Sequence, residues 1–281
     1  MAAFTNRATL SYNGRTTASN VVTGEIVGAL TMTKTALSEE YSPGGGITYA
    51  VTIVNSGASA IDGLTLTDDL GAYDLNTLTL VPLTYVDGSA KYFVNGVPQP
   101  DPAVSAGTSL TVSGVSVPAG GSAVIVYNTT VNSFASPEPG ATIVNTVSVA
   151  GSKAETEVSA SETVAAAEEP VLEVAKSLCP ASVAENGELT YTFVITNSGG
   201  ADSEDAVLTD TFDPVLSDIA VTLDGAALAS GTGYTYDPVT GEFSTAAGVI
   251  SVPAATFTQD AVTGEWTVAP GSVTLTVTGT V

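Results

Sequence analysis

Apolar and polar residues alternate along most of the chain, so that every second residue of many short segments is hydrophobic. Residues 47–54, ITYAVTIV, and 122–131, SAVIVYNTTV, are examples. This period of two is that of a β-strand with one buried face, and the abundant valine and threonine favour strands. Turn signals such as Asn-Ser-Gly, Pro-Gly and Asp-Gly recur roughly every ten residues. The pattern predicts an all-β protein built of short antiparallel strands.

The chain contains an internal repeat. Residues 47–57, ITYAVTIVNSG, and 189–199, LTYTFVITNSG, are identical at six of eleven positions. Three further pairs of similar segments follow the same order, namely 32–38 with 174–180, 64–70 with 206–212, and 121–131 with 271–281. A repeat of this size indicates two copies of one structural unit. The strand pattern predicts that each copy is an Ig-like antiparallel β-sandwich.

The first copy continues into two more predicted strands that turn at Ala150-Gly151, whereas the second copy has no such continuation. The N-terminal residues resemble the missing piece, because Asn6 aligns with Asn145 and the turn Asn13-Gly14 aligns with Ala150-Gly151. The chain therefore predicts three parts: an N-terminal hairpin over 1–28, a complete domain over 29–169, and a domain over 170–281 that lacks its last two strands.

A sandwich that lacks two strands exposes an unpaired sheet edge and part of its apolar core. The N-terminal hairpin of another copy is the predicted occupant, by addition of strands to the open edge. Because donor and acceptor lie at opposite ends of the chain, this contact produces an open, head-to-tail homopolymer unless it closes into a ring. The alternative is that the hairpin folds back onto its own chain.

Composition excludes several classes of function. The 281 residues include no histidine and one cysteine, Cys179, so the chain cannot form a Ser-His-Asp or Cys-His catalytic site, a His- or Cys-rich metal site, or an internal disulfide. A net charge of −23 argues against nucleic acid as a partner. Asp68, Asp69 and Asp74 could form a calcium loop, but solvated turns are the preferred interpretation, so no metal and no cofactor is predicted.

The sequence was also searched for targeting signals. No stretch is long and apolar enough to span a membrane, and no secretory signal peptide is visible. An acidic surface suits a protein that stays soluble outside the cytoplasm. We therefore expect an extracellular location, or one on a cell or spore surface.

Three polar residues of the first copy fall on the apolar face of their strands. Residues i, i+2 and i+4 share a face of a strand, so Lys34 lies with Leu30 and Met32. By the same count Asp68 lies with neighbouring leucines, and Asn145 lies with neighbouring valines and isoleucine. The second copy repeats the lysine and the aspartate as Lys176 and Asp210, and its asparagine is Asn6 of the N-terminal hairpin.

Buried charges without partners are costly, so each set of three should meet. Burial favours a neutral amine and a protonated carboxyl group. In that state the lysine can attack the asparagine side-chain carbonyl while the aspartic acid polarises it and transfers protons, and ammonia leaves. The product is an isopeptide bond, formed once per site, so the protein is not an enzyme with turnover.

These landmarks resemble a known family. An early lysine, Asn-Ser-Gly after a strand, the Thr-Asp motif with Asp68 or Asp210, and the late strand that begins at Asn145 are similar to the prokaryotic surface-protein repeat called domain of unknown function eleven. The arrangement of lysine, acid and asparagine resembles Ig-like domains of Gram-positive pilins and adhesins that form autocatalytic isopeptide bonds. The resemblance implies a bond from Lys34 to Asn145 with Asp68 as the acid.

The same resemblance implies a bond from Lys176 to Asn6 of another copy with Asp210 as the acid, which departs from the family because it links two chains. The predicted function is a structural subunit of a surface fibre. An alternative is a monomeric adhesin or ligand-binding module whose loops, at 86–103 or 225–265, contact an unknown surface ligand. For the polar residues the alternative is structural: a lysine that reaches the rim, an aspartate that caps a turn and an asparagine that bridges backbone groups.

Overall fold

The computed structural model describes residues 2–26, 29–150 and 158–281. These residues form β-strands and no α-helix, which confirms the prediction of an all-β protein. No helix in the described ranges is long and apolar enough to cross a membrane. Gly151, the second residue of the turn predicted at Ala150-Gly151, lies outside the described residues.

The N-terminal residues form a long hairpin of four short strands. The strands are β1 (Ala2–Asn6), β2 (Thr9–Tyr12), β3 (Arg15–Ala18) and β4 (Val22–Ile26). β1 pairs with β4 and β2 pairs with β3, around a turn in which Asn13 and Gly14 have φ of 45° and 72°. Positive φ at both residues is the type I′ geometry for which Asn-Gly is preferred. Every residue from 4 to 23 is exposed, so neither face of this hairpin is covered.

The chain divides into two compact units, Met1–Ala135 with Thr142–Ala165, and Ser136–Ala141 with Ala166–Val281. The predicted limits of three parts at 1–28, 29–169 and 170–281 stay a prediction. Beyond the hairpin, the strands of unit 1 are β5 (Leu30–Ala36), β6 (Glu40–Tyr41), β7 (Gly46–Asn55), β8 (Ile61–Asp68), β9 (Tyr73–Leu75), β10 (Leu78–Leu80), β11 (Leu83–Tyr85), β12 (Lys91–Val94), β13 (Val97–Pro98), β14 (Ala103–Ala106), β15 (Leu110–Val117), β16 (Ser122–Val131), β17 (Thr142–Ala150) and β18 (Val158–Ala166).

Two antiparallel sheets of unit 1 face each other. One has the order β13-β12-β16-β7-β5 with β11 also on β16, and the other has the order β14-β15-β8-β17-β18-β6. Alternate residues of the long strands are buried, as in β7, where Ile47, Tyr49, Val51 and Ile53 are at most 1% exposed. The core therefore lies between the sheets, and β17 and β18 form part of its wall.

Unit 2 contains one large sheet and several small ones. Its strands are β19 (Leu172–Cys179), β20 (Glu188–Asn197), β21 (Ser203–Ala206), β22 (Thr209–Thr211), β23 (Ser217–Leu223), β24 (Ala226–Ala227), β25 (Tyr234–Tyr236), β26 (Glu242–Thr245), β27 (Ile250–Val252), β28 (Thr256–Gln259), β29 (Trp266–Ala269) and β30 (Gly271–Thr280). The large sheet has the order β19-β20-β30-β23-β24, and the small ones are β21-β27, β22-β26-β25 and β28-β29.

The two copies of the repeat differ in the strand that carries the aspartate. In unit 1, β8 lies between β15 and β17 and is paired on both sides. Its counterparts in unit 2 are β21, which pairs with β27, and β22, which pairs with β26. In the described part of the chain no strand pairs with the other side of β21 and β22. This side is named the open edge below.

Residues beside the open edge are more exposed than their counterparts in unit 1. Leu172 of β19 is 40% exposed, whereas the equivalent Leu30 of β5 is 7% exposed. All eight residues of β19 are exposed, whereas β5 alternates between exposed and covered residues. Unit 2 thus exposes apolar residues beside the open edge at positions whose equivalents in unit 1 are covered.

Candidate cross-linking sites

Three polar residues are buried between the sheets of unit 1. Lys34 lies in the middle of β5, Asp68 ends β8 and Asn145 lies near the start of β17; each is at most 4% exposed. Successive residues of a strand point to opposite faces, which explains this burial: the threonines that flank Lys34 in β5 are exposed, and Lys34 points inward. The β17–β8 ladder pairs Val147 with Asp68, so Asn145, two residues earlier, is on the same inner face and diagonal to the aspartate.

The Asp68 carboxylate is held by three donors. Lys34 Nζ lies 2.5 Å from Asp68 Oδ2, and the Tyr127 hydroxyl donates to the same oxygen at 2.5 Å. The backbone N–H of Leu70 donates to Oδ1 at 3.0 Å. Because Lys34 and Tyr127 come from one sheet and Asp68 from the other, the carboxylate joins the two layers. Such contacts fix its position and orientation.

The Asn145 amide is buried and lacks a well-formed hydrogen bond. In the described part of the chain, neither Oδ1 nor Nδ2 of Asn145 has a partner at good hydrogen-bond geometry, and the phenols of Tyr49 and Tyr127 are its polar neighbours. Buried amides are nearly always hydrogen-bonded in folded proteins, because an unpaired one costs about 1–3 kcal/mol. A buried amide in this state calls for a functional explanation, and reaction with a neighbouring amine would supply one.

Burial changes the protonation of this site. Burial lowers the pKa of Lys34 below its usual value, although the charge of Asp68 and its hydrogen bond act in the opposite direction. Burial also raises the pKa of Tyr49 and of Tyr127, and the negative charge of Asp68 adds to both effects. The phenols therefore stay protonated, and the neutral, nucleophilic form of the lysine becomes more accessible than in water.

The arrangement supports amide exchange between the lysine and the asparagine. The Lys34 nitrogen can form a bond to Cγ of Asn145 while the bond from Cγ to Nδ2 breaks. The lysine ammonium loses two protons in total. The Asp68 carboxylate accepts the first, which leaves a nucleophilic amine, and after attack the second passes to the leaving nitrogen. Asp68 contacts Lys34 and shares the inner face with Asn145, so it can carry this proton; one ammonia is released and no external reactant is needed.

The second set of residues has the same ion pair in an open environment. Lys176 Nζ lies 2.5 Å from Asp210 Oδ2. The two side chains are 42% and 18% exposed, compared with 0% and 3% for Lys34 and Asp68. Asn6, the third predicted residue, lies on β1 of the N-terminal hairpin, where it is exposed and pairs with Val22.

Aromatic rings surround the Lys176 ammonium in unit 2. Its nitrogen lies 4.6 Å from the ring centroid of Tyr191, 5.4 Å from that of Phe193 and 5.6 Å from that of Phe212. These are cation–π distances, and they hold the ammonium in place. Lys34 has one such contact, to Tyr49 at 4.8 Å.

The sequence reasoning missed these aromatic residues. Tyr49 and Tyr191 occupy the same position of the repeat, and the alternation places Tyr127 on the inner face of β16 beside Ala123 and Ile125. A buried tyrosine requires a partner for its hydroxyl group, and that requirement could have linked Tyr127 to the polar cluster. Its counterpart in the second copy is Val277, so the phenol contact belongs to unit 1 alone.

The acidic residues considered as a calcium loop have structural partners. Asp69 Oδ1 accepts the backbone N–H of Gly71 at 2.9 Å and that of Thr146 at 2.8 Å, and Asp74 accepts the hydroxyl of Thr79. These bonds close a turn and join it to β17. Cys179 is an exposed free thiol at the end of β19.

Two clefts of unit 2 include residues of β22 or β21, the strands at the open edge. One of about 630 Å³ is bordered by Asp210, Thr211, Tyr236, Asp237, Glu242 and Phe243. The other, of about 310 Å³, is bordered by Leu172, Val174, Ile195, Ala206, Leu208 and Ile250. The first is acidic and contains the aspartate of the ion pair, and the second is mainly apolar. Together they offer a polar and an apolar surface along β21 and β22.

No family model and no curated protein matches the chain. The resemblance to domain of unknown function eleven therefore stays a prediction. Among solved structures the chain is similar to BcpA, the major pilin subunit of Bacillus cereus, with 11% identity, a TM-score of 0.36, and coverage of 96% of this chain and 73% of that one. It is also similar to the pilus backbone protein RrgB from Streptococcus pneumoniae (13%, 0.34, 86% and 55%) and to the collagen-binding domain of a Staphylococcus aureus adhesin (14%, 0.31, 50% and 99%).

Proposed function

We propose that the protein is a structural subunit of a surface or extracellular fibre, assembled head to tail by donation of the N-terminal hairpin to the open edge of the next copy and locked by isopeptide bonds. One observation carries the proposal. The Lys34–Asp68 pair is buried beneath the hairpin β17–β18 in unit 1, whereas the equivalent Lys176–Asp210 pair is partly exposed beside the open edge of unit 2.

The N-terminal hairpin has the apolar surface that the open edge needs. Phe4, Leu10 and Tyr12 are each more than half exposed. Phe4 and Leu10 align with Ile143 and Val149 of β17, which are almost fully buried in unit 1. Burying such side chains contributes roughly 1.5–3 kcal/mol each, which supports docking against the apolar cleft of unit 2.

The register of unit 1 predicts how the hairpin docks. Val147 lies opposite Asp68 in the β17–β8 ladder, and the equivalent residues are Ala8 and Asp210. Asn6, two residues before Ala8, would then lie on the inner face next to Lys176 and Asp210. Docking would bring together a second set of lysine, aspartate and asparagine.

The chemistry is one event at each site. Lys34 would bond to Asn145 within a subunit, and Lys176 would bond to Asn6 of the neighbouring subunit, with Asp68 and Asp210 as the respective proton carriers. Each bond releases one ammonia and consumes its own side chains, so there is no turnover. The second bond would make the fibre covalent.

The partner is therefore a second copy of this chain, and no cofactor takes part. A second copy repels the first, since each carries a net charge of −23. The buried apolar surface must offset this repulsion. The acidic composition also supports the extracellular or surface location.

The test is a boiled, reducing, denaturing gel of the purified chain together with the intact mass of each band. The parent should give a ladder of multimers whose masses fall short of whole multiples of the chain by one ammonia per bond. Asn6→Ala and Lys176→Ala should each reduce the ladder to a monomer that still lacks one ammonia, because the Lys34–Asn145 bond remains.

Matched controls are Asn20→Ala, at another exposed asparagine of the hairpin, and Lys91→Ala, at an exposed lysine of unit 1. Both should keep the ladder. A parent that is a single band at the unmodified mass would refute both isopeptide bonds. A parent that is also monomeric before denaturation would refute the fibre and favour a chain closed on itself or an isolated binding module.

A further inference from the structure

The N-terminal hairpin is the part of the chain in which cations outnumber acidic residues. It contains both arginines of the chain, Arg7 and Arg15, and one acidic residue, Glu25, whereas the remaining residues contain four lysines and 28 acidic residues. The Arg7 side chain is exposed, and its Nε donates to the carbonyl of Ser19 at 3.3 Å. In the described part of the chain Arg7 forms no ion pair with a carboxylate. Its guanidinium is therefore available to a partner.

The ladder of unit 1 predicts the neighbour of Arg7 after docking. In unit 1 the N–H of Asp69 donates to the carbonyl of Thr146 at 2.9 Å, one step along from the pair of Val147 with Asp68. The equivalent of Thr146 is Arg7, and the equivalent of Asp69 is Thr211. Arg7 of the donor should thus lie opposite Thr211 of the acceptor.

Two acidic residues, Glu242 and Asp237, lie in line with Thr211 on the neighbouring strands of the sheet. Thr211 pairs with Glu242 in the β22–β26 ladder, and the N–H of Asp237 donates to the carbonyl of Glu242 at 2.9 Å on the next strand. Residues directly opposite each other on antiparallel strands share a face. Arg7, Thr211, Glu242 and Asp237 would therefore form one row.

This row lies on the outer face of the sheet. The neighbouring pair, Asp210 with Phe243, faces inward, because Phe243 is buried and Asp210 contacts Lys176. Thr211 and Glu242 are exposed. Two strand spacings, about 9.6 Å, separate the backbones of Arg7 and Glu242, and the small side chain of Thr211 lies between them. Extended arginine and glutamate side chains together can span this distance.

We infer that Arg7 of the donor hairpin forms an ion pair with Glu242 of the accepting copy, on the outer face of the sheet, and that this pair steers the hairpin to the open edge. The inference rests on the proposed function and adds how the open edge recognises its occupant. Two strongly acidic chains repel each other, so a local cation opposite Glu242 and Asp237 has its main effect on the rate of association.

The test measures the initial rate of formation of the cross-linked dimer band at low ionic strength. Arg7→Glu and Glu242→Arg should each slow the reaction by roughly three- to tenfold, because mutation of a rim charge chiefly changes the association rate. The combined variant R7E/E242R should restore the rate to within about twofold of the parent. Added salt should reduce the difference between the parent and either single variant.

Two controls make the same changes of charge elsewhere. Lys91→Glu matches Arg7→Glu, and Glu188→Arg, on the larger sheet of unit 2, matches Glu242→Arg. The inference is wrong if the single variants form dimer no more slowly than these controls, or if the combined variant forms it more slowly than both single variants. Neither result contradicts the proposed fibre. If the parent forms no dimer even before denaturation, the proposed function fails, and the inference fails with it.

Discussion

The buried ion pair of unit 1 gives the sharpest prediction about stability. It concerns the substitution Asp68→Ala in a chain that also carries Asn145→Ala, so that Lys34 cannot form an isopeptide bond in any variant compared. Removal of the carboxylate leaves the Lys34 ammonium without its partner in a site where the side chain is 0% exposed. Tyr127 and the backbone N–H of Leu70 lose their acceptor as well.

Removal of one member of a buried ion pair typically costs about 3–5 kcal/mol, because the other charge remains buried and uncompensated. With a urea dependence of about 2 kcal/mol per molar, the midpoint of unfolding should fall by about 2 M. The further substitution Lys34→Met should recover most of this loss, since it replaces the unpaired charge with an apolar side chain of similar length.

Urea unfolding followed by near-ultraviolet circular dichroism tests this prediction. The stacked rings of Tyr49 and Tyr127, with centroids 5.7 Å apart, report on unit 1, whereas the single tryptophan, Trp266, lies in unit 2. A matched control is Asp101→Ala, which removes an exposed acceptor from Lys91 and should cost less than 1 kcal/mol. A loss below 1 kcal/mol for Asp68→Ala, or no recovery with Lys34→Met, would refute the argument that Lys34 is held as a buried cation.

The remaining predictions concern protonation and the phenol. Because burial lowers the pKa of Lys34 in the folded chain, the Asn145→Ala variant should gain stability as the pH rises from that lowered pKa towards 10.5, relative to the same variant with Lys34→Met. A difference in stability that stays flat all the way up to pH 10.5 would contradict this. Tyr127→Phe should cost about 1–3 kcal/mol and slow ammonia loss at Lys34, with no effect on the cross-link at Lys176, as measured by intact mass after refolding. A change at Lys176 would show that the effect is not local.

Local patterns predicted much of the fold. Alternation specifies the face of a strand, and for this reason Lys34, Asp68 and Asn145 could be assigned to the inner face before their burial was known. Similarly, the Asn13-Gly14 signal predicted the turn of the N-terminal hairpin, because type I′ geometry is a property of two residues. These features depend on neighbours in the sequence.

Features that depend on the packing of one sheet on the other were not predicted. The bond from Tyr127 to Asp68 and the position of Phe212 near Lys176 require the stacking of strands that are far apart in the sequence. The repeat also suggested equal strands in both copies, whereas the single strand β8 corresponds to two short strands, β21 and β22. Because no described strand pairs with one side of it, that segment of unit 2 has fewer ladder hydrogen bonds to hold it straight.

The difference between the two ion pairs connects the fold to assembly. Lys34 is enclosed by the sandwich, so its site is complete once unit 1 has folded. Lys176 is held by Asp210 and three aromatic rings but is partly exposed beside the open edge. A docked hairpin would cover the amine and place Asn6 beside it. In the proposed fibre, the same event that joins two copies would therefore also switch on the reaction that links them, so that a bond would form only after the correct partner had docked.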